Sequence, residues 1–190
     1  MRQAASRPLP RTLGGMNKVG DTLLHFGANE GLVRGLVDAG VEFVVVGGLA
    51  VAWYCASRQA DDMDLLVNPT PENSSRIASV LGDLNVRGFV ADSFARLGLQ
   101  VPLKQTYYAE LLTPEKGGAT YAEIADTSVA AKLFSIPVRL ASVSSLIAMK
   151  TRAATAAEAQ RGKHQADLEL LGKCRLTNKV RSRKRSAAAI

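Results

Sequence analysis

A valine-rich run, Val41 to Val46, ends at Gly47-Gly48, and after thirteen intervening residues comes Asp62-Met63-Asp64. Glu42 apart, the run is apolar without alternation, so it predicts a strand buried on both faces. The glycine pair stops it and lets backbone N–H groups approach an anion closely, since no Cβ intervenes. A short helix, about Leu49 to Cys55, is expected to lead through Arg58 into a second strand, Asp62 to Val67. Side chains two apart on a strand share a face, which pairs Asp62 with Asp64 at roughly 6–7 Å between Cα atoms. Met63 and Leu65 then face the core, and Asp61 is out of phase. Two carboxylates on one face of an apolar strand call for a cation, and Mg²⁺ is commonly held by carboxylates together with phosphate oxygens.

The other elements read from the same rules. A helix is expected from Asn29, as cap, to Ala39, closed by Gly40, with Leu32, Leu36 and Val37 on one face. Thr70-Pro71 is a helix start whose apolar face carries Ile77, Val80, Leu81 and Leu84. Lys104 to Thr113 reads as a strand and a short helix is expected around Tyr121. A hairpin should place Ala130–Phe134 and Val138–Leu140 on either side of Ile136-Pro137. Helices Ser144 to about Ala157 and Gln165 to Lys173 close the body. Strands and helices intermix without regular βαβ alternation, which predicts an α/β (α+β) fold with a mixed sheet packed by helices. The expected division is an N-terminal arm (1–27), a core (28–140), a C-terminal helical part completing a cleft (141–174) and a basic tail (175–190).

Charge is unevenly placed. Residues 1–171 hold 17 Lys/Arg and 17 Asp/Glu, so the whole net charge of +7 lies beyond them. It comes from Lys173, Arg175, Lys179, Arg181, Arg183, Lys184 and Arg185, with no acid among them. Such a run fits a polyanionic partner, RNA for example, and equally a solvated, solubilising end. The longest apolar stretch, Phe43 to Ala56, is shorter than the roughly 18–20 residues of a membrane span, and the glycines break it. The first twenty residues lack an apolar signal core, so a cytoplasmic protein without membrane contact is expected. Cys55, Cys174, His25 and His164 make no zinc-type spacing, and both cysteines read as free thiols.

Further candidates join the two aspartates. Glu110 is a lone carboxylate inside Tyr108-Ala109-Glu110-Leu111-Leu112 and is the candidate third metal ligand, or else an edge-strand acid facing water. Lys150 closes the apolar Leu146-Ile147-Ala148-Met149 segment, and Arg58 precedes the aspartate strand; either can meet a triphosphate. Asp167, grouped with Arg161 and Lys163, is placed to orient Lys150.

Together these residues resemble the nucleotidyltransferase superfamily shared with DNA polymerase beta, most closely its AbiE/MenT-type toxin branch. The superfamily pattern is a glycine pair, about a dozen residues, then Asp-hydrophobic-Asp, matched by Gly47-Gly48 and Asp62-Met63-Asp64. The toxin-type lead-in is matched by Arg58-Gln59-Ala60-Asp61-Asp62, with Ala60 where a hydroxyl residue is usual. Glu110-Leu111-Leu112 stands for an Asp-Leu-Leu strand, Leu146 to Lys150 for a Leu-Ile-Ala-x-Lys helix, and Asp167 to Leu171 for the last helix. The resemblance spans roughly residues 28–172. It implies Mg²⁺ (or Mn²⁺) on Asp62, Asp64 and Glu110, and phosphate contacts from Gly47, Gly48, Arg58 and Lys150. The implied catalytic set is Asp62, Asp64, Glu110, Lys150 and Asp167. The implied reaction moves nucleotides from an NTP, CTP favoured, to the 3′ end of tRNA, with a cognate antitoxin as partner. A small-molecule nucleotidyltransferase of the aminoglycoside-modifying kind and a non-catalytic binding module are the alternatives.

Overall fold

The computed structural model describes residues 29–60, 62–103, 107–156 and 158–187, with side chains described as far as Cys174, residue 159 apart. The expected N-terminal arm, Asp61, Lys104 and the side chains of Arg175, Lys179, Arg181, Arg183, Lys184 and Arg185 lie outside that set.

Six strands form one mixed sheet in the order β3-β4-β2-β1-β6-β5. The strand β1 (Phe43–Val46) is buried throughout, as its apolar run requires. It pairs antiparallel with β2 (Met63–Val67), Val46 opposite Asp64, and parallel with β6 (Ile136–Leu140). On the other side β2 runs parallel to β4 (Ala109–Leu112), Asp64 opposite Glu110. The fold is the mixed, helix-packed sheet that the sequence predicts.

Helix α1 (Asn29–Asp38) buries Leu32, Val33 and Leu36, and Gly40 closes it at φ 63°. Asn29 does not stand outside the helix as a cap. It is buried within the first turn, and its side-chain amide donates to the Tyr108 carbonyl at 3.2 Å. Helix α2 (Gly47–Tyr54) starts two residues earlier than expected, so the glycine pair forms its first turn. Helix α3 (Pro71–Asp83) has the predicted cap, with Thr70 Oγ1 accepting from the Asn73 N–H at 3.2 Å. Its apolar stripe of Ile77, Val80 and Leu81 packs into the core.

Two strand assignments need correcting. The segment expected as Lys104–Thr113 is strand only over β4, and the edge strand β3 (Gln100–Pro102) pairs back on it. The Leu103 N–H bonds the Ala109 carbonyl and the Tyr107 N–H bonds the Leu103 carbonyl, closing that hairpin. Pro102 lacks an N–H, a loss that an edge tolerates. The second hairpin turns at Phe134-Ser135, both at positive φ (52° and 66°), and not at Ile136-Pro137. Pro137 lies inside β6, opposite Lys132 of β5 (Val129–Leu133), while β1 meets β6 only at Leu140. Its missing N–H therefore breaks no ladder to β1.

Three more helices complete the chain: α4 (Tyr121–Asp126), α5 (Val143–Ala156) and α6 (Arg161–Ala187). A 3₁₀ turn (Glu158–Gln160) joins the last two. The helix α6 is far longer than the expected Gln165–Lys173, because its later residues are largely Arg, Lys and other helix-compatible types. Among the described residues no helix is long and apolar enough to cross a membrane.

Candidate active site

The register of β2 on β4 places Asp64 and Glu110 side by side on one face. Asp62, expected as the first residue of that strand, lies in a bend just before β2 (Met63–Val67), and its charge still acts on Asp64. Glu110 is buried and accepts from the Gln100 amide at 2.7 Å. Asp64 lies directly against the start of α2. Gly47 has φ +64°, and a Cβ on it would sit 1.6 Å from Asp64 Oδ2. No other residue fits, so Gly47 is glycine for two independent reasons: left-handed backbone and contact with a carboxylate.

Burial raises the Asp64 carboxyl to about 6, assisted by repulsion from Asp62 and Glu110 and opposed by the charges of Lys150 and Lys163. Two acids thus act on Asp64, and the Lys150 and Lys163 amines act against them. Among the described residues no three His, Cys, Asp or Glu side chains are placed to hold a metal ion on their own. The donor chemistry nevertheless fits Mg²⁺: hard oxygens, mutually repelling, with substrate phosphates able to supply further ligands.

Helix α2 presents the second element of the site. Its N-cap, Val46, makes no side-chain capping bond, so no side chain there takes the first helical N–H groups. A phosphate at that end would meet N–H donors and the positive end of the helix dipole. A Cβ on Gly48 would lie 3.1 Å from an Arg58 Nη, so the guanidinium packs over this same turn.

The third element is a cation pair built on Asp167. Its Oδ1 accepts from Arg58 Nε at 2.7 Å, and its Oδ2 lies 2.8 Å from Lys150 Nζ. Asp167 is wholly buried and Lys150 nearly so. Burial alone would raise the Asp167 carboxyl, but the hydrogen bonds and charges of Arg58 and Lys150 hold it below its usual range. The sequence expectation that Asp167 orients Lys150 matches this geometry. Arg58 shares the carboxylate and so couples the loop after α2 to α6.

His164 also belongs here, although no motif points to it. It lies one turn before Asp167, on the same helix face, with Nδ1 buried and without a hydrogen-bond partner. Burial and the charge of Lys150 lower its pKa, Asp167 opposes this and Lys163 adds to it, so the imidazole is neutral at pH 7. Lys163, exposed on α6, reaches Asp64 electrostatically. Arg161 faces away, its Nε donating to the Ala154 carbonyl at 3.4 Å. Lys173 is exposed at the far end of the described side chains.

No protein-family model and no curated protein matches the chain. Solved structures similar to it include the following two. One is an antigenic nucleotidyltransferase-like protein from Paracoccidioides brasiliensis, at 15% identity and TM-score 0.48, covering 86% of this chain and 93% of that one. The other is ANT(2")-Ia in complex with adenylyl-2"-tobramycin, at 16% identity and TM-score 0.49, covering 82% of this chain and 96% of that one. Neither likeness is close enough to assign an activity.

Proposed function

We propose that the protein is a divalent-metal-dependent nucleotidyltransferase. The observation that carries this reading is the arrangement in which Asp64 and Glu110 stand in register, Gly47 packs against Asp64, and Lys150 is held by buried Asp167. Nucleotidyl transfer is chiefly positioning and charge neutralisation, and this arrangement offers both.

Asp62 and Asp64 would hold the metal, with Glu110 as third carboxylate. A divalent cation there supplies positive charge to the triphosphate oxygens and favours ionisation of the acceptor hydroxyl. Gly47 and Gly48 bind phosphate through backbone N–H groups at the start of α2. Lys150 neutralises charge on the departing pyrophosphate, and Asp167 together with Arg58 fixes the direction of the amine. Ala60, buried, offers no hydroxyl to the phosphates, so the burden falls on backbone donors and cations.

For the acceptor, the resemblance in sequence favours the 3′ end of tRNA, with CTP as donor, so that aminoacylation and translation stop. The basic run from Lys173 to Arg185 supports an RNA acceptor, because such contacts bind phosphates without reading sequence. A toxin of this kind implies a cognate antitoxin and a cytoplasmic setting.

The direct test is incubation with total tRNA and each α-phosphate-labelled NTP, with and without Mg²⁺. Label is expected in tRNA, from CTP above the others and only with metal. Asp62→Ala should keep its fold and lose about 10²–10³-fold in rate, the scale of removing a main charge-stabilising group. Full activity in that variant overturns the assignment. Label transferred to an aminoglycoside and never to RNA favours the small-molecule reading, and no metal-dependent nucleotide binding favours a binding module.

A further inference from the structure

The two thiols, 119 positions apart in sequence, lie against each other. Cys55 is the residue that ends α2, and its Sγ is 2.6 Å from the Sγ of Cys174 on α6. An S–S bond is ~2.05 Å long, so bonding needs only a small further approach. No bond joins them here, and both are free cysteines. The Cys174 thiol also lies 3.3 Å from the Tyr54 carbonyl, which it can donate to, and Tyr54 is anchored in turn by its hydroxyl donating to the Ala141 carbonyl. Cys174 sits seven residues after Asp167, two helical turns along the same face, and the Arg58 N–H bonds the Cys55 carbonyl at 2.9 Å. One short loop, Cys55 to Arg58, thus meets α6 twice: through the thiols and through the Arg58–Asp167 ion pair.

We propose that Cys55 and Cys174 are a dithiol modification site, which a low-molecular-weight disulfide of the glutathione class converts into an intramolecular cystine clamping α6 to α2. The chemistry balances as two exchanges. The Cys174 thiol gives up its proton and its thiolate attacks one sulfur of the disulfide RSSR. That S–S bond breaks, and RS⁻ leaves and is protonated. The Cys55 thiol then gives up its proton and attacks the Cys174 sulfur of the mixed disulfide, expelling the second RS⁻. Two protein thiols are oxidised and RSSR is reduced to two RSH. Cys174, half-buried, is the accessible entry point. Cys55 is buried with its Sγ against that of Cys174, so it meets no free RSSR and serves as the resolving partner by position. The clamp joins the helix carrying the glycine pair to the helix carrying Asp167, whatever reaction the site performs.

The test uses the full chain treated with oxidised glutathione, then alkylated, digested without reductant and compared with dithiothreitol-treated protein. A Cys55–Cys174 cross-linked peptide is expected, with intact mass lower by about 2 Da. The melting temperature should rise by about 5–10 °C, given the long loop closed, and fall back on reduction. Cys174→Ser should show neither change; should that variant fail to fold, the oxidised and reduced wild type alone decide. Glutathione retained on Cys174, two unmodified thiols, a cross-link between chains, or a cystine without a melting shift each overturns the proposal. None of these readouts depends on nucleotides.

Discussion

Two buried carboxylates in this molecule feel the charge of the same Lys150 amine and are treated oppositely. Asp167 is the more deeply buried, yet two cations answer it and its carboxyl is held low. Asp64 has Asp62 and Glu110 as neighbours, and its carboxyl is driven up to about 6. The helical cluster is balanced within the protein. On the strand, Lys150 and Lys163 offset only part of the upward push of burial and neighbouring acids on Asp64. Under the proposed function this contrast separates a residue that builds the site from one that would receive a cation, since a perturbed carboxylate is tolerated where binding relieves it.

Removing Asp167 should break the comparison most severely. Asp167→Ala leaves Arg58 and Lys150 without their shared counter-ion, at about 3–5 kcal/mol, measurable by urea unfolding. Its pH signature follows from its lowered pKa. Asp167 contributes stability above the unfolded-state value of 3.8, which is lost as pH falls through the lower folded value.

Asp64 should show the opposite sign. Its folded pKa is raised, so its contribution is fully present below 3.8 and is lost as pH rises through about 6. Asp64→Asn should therefore be more stable than wild type at pH 7.5, on the order of 2–3 kcal/mol, while losing transfer activity. Mg²⁺ should narrow that gap. A variant less stable at pH 7.5 would remove the contrast.

Gly47→Ala sharpens the link between the glycine turn and the aspartate. The new methyl meets Asp64 Oδ2, and the positive φ is strained for alanine, so stability should drop by about 1–3 kcal/mol with activity lost. The smallest effect belongs to a control outside both clusters. Arg152 pairs with Glu115 at 2.5 Å across an exposed surface, and Arg152→Ala should cost less than about 1 kcal/mol by the same unfolding measurement.

Much of this was legible in the chain because short-range rules govern it. Period-two alternation read Asp64 into a strand whose start falls one residue after Asp62, and the Thr70-Pro71 start is local chemistry that the structure repeats. The pairing of Lys150 with Asp167 was suggested by an apolar segment closed by one lysine and by the core-facing leucines that follow Asp167. What was not legible depends on partners distant in sequence. Gly47 looks like a phosphate turn, and only folding reveals that the Asp64 carboxylate occupies its Cβ position. Asn29 has the chemistry of a cap but is recruited by Tyr108. His164 carries no motif, though its three-residue spacing from Asp167 on a helix was a usable signal. The β3 strand was masked by Pro102, and two side chains at positive φ hid the Phe134-Ser135 turn.

Calorimetric titration of CTP into wild-type protein and Asp64→Asn, each with Mg²⁺ and with EDTA, reaches the central idea with least inference. Binding should appear only in wild type with Mg²⁺ and should vanish on chelation or on loss of the carboxylate. Equal CTP affinity in all four titrations would contradict the account, because the strand acids would then have no part in receiving a metal-bound nucleotide.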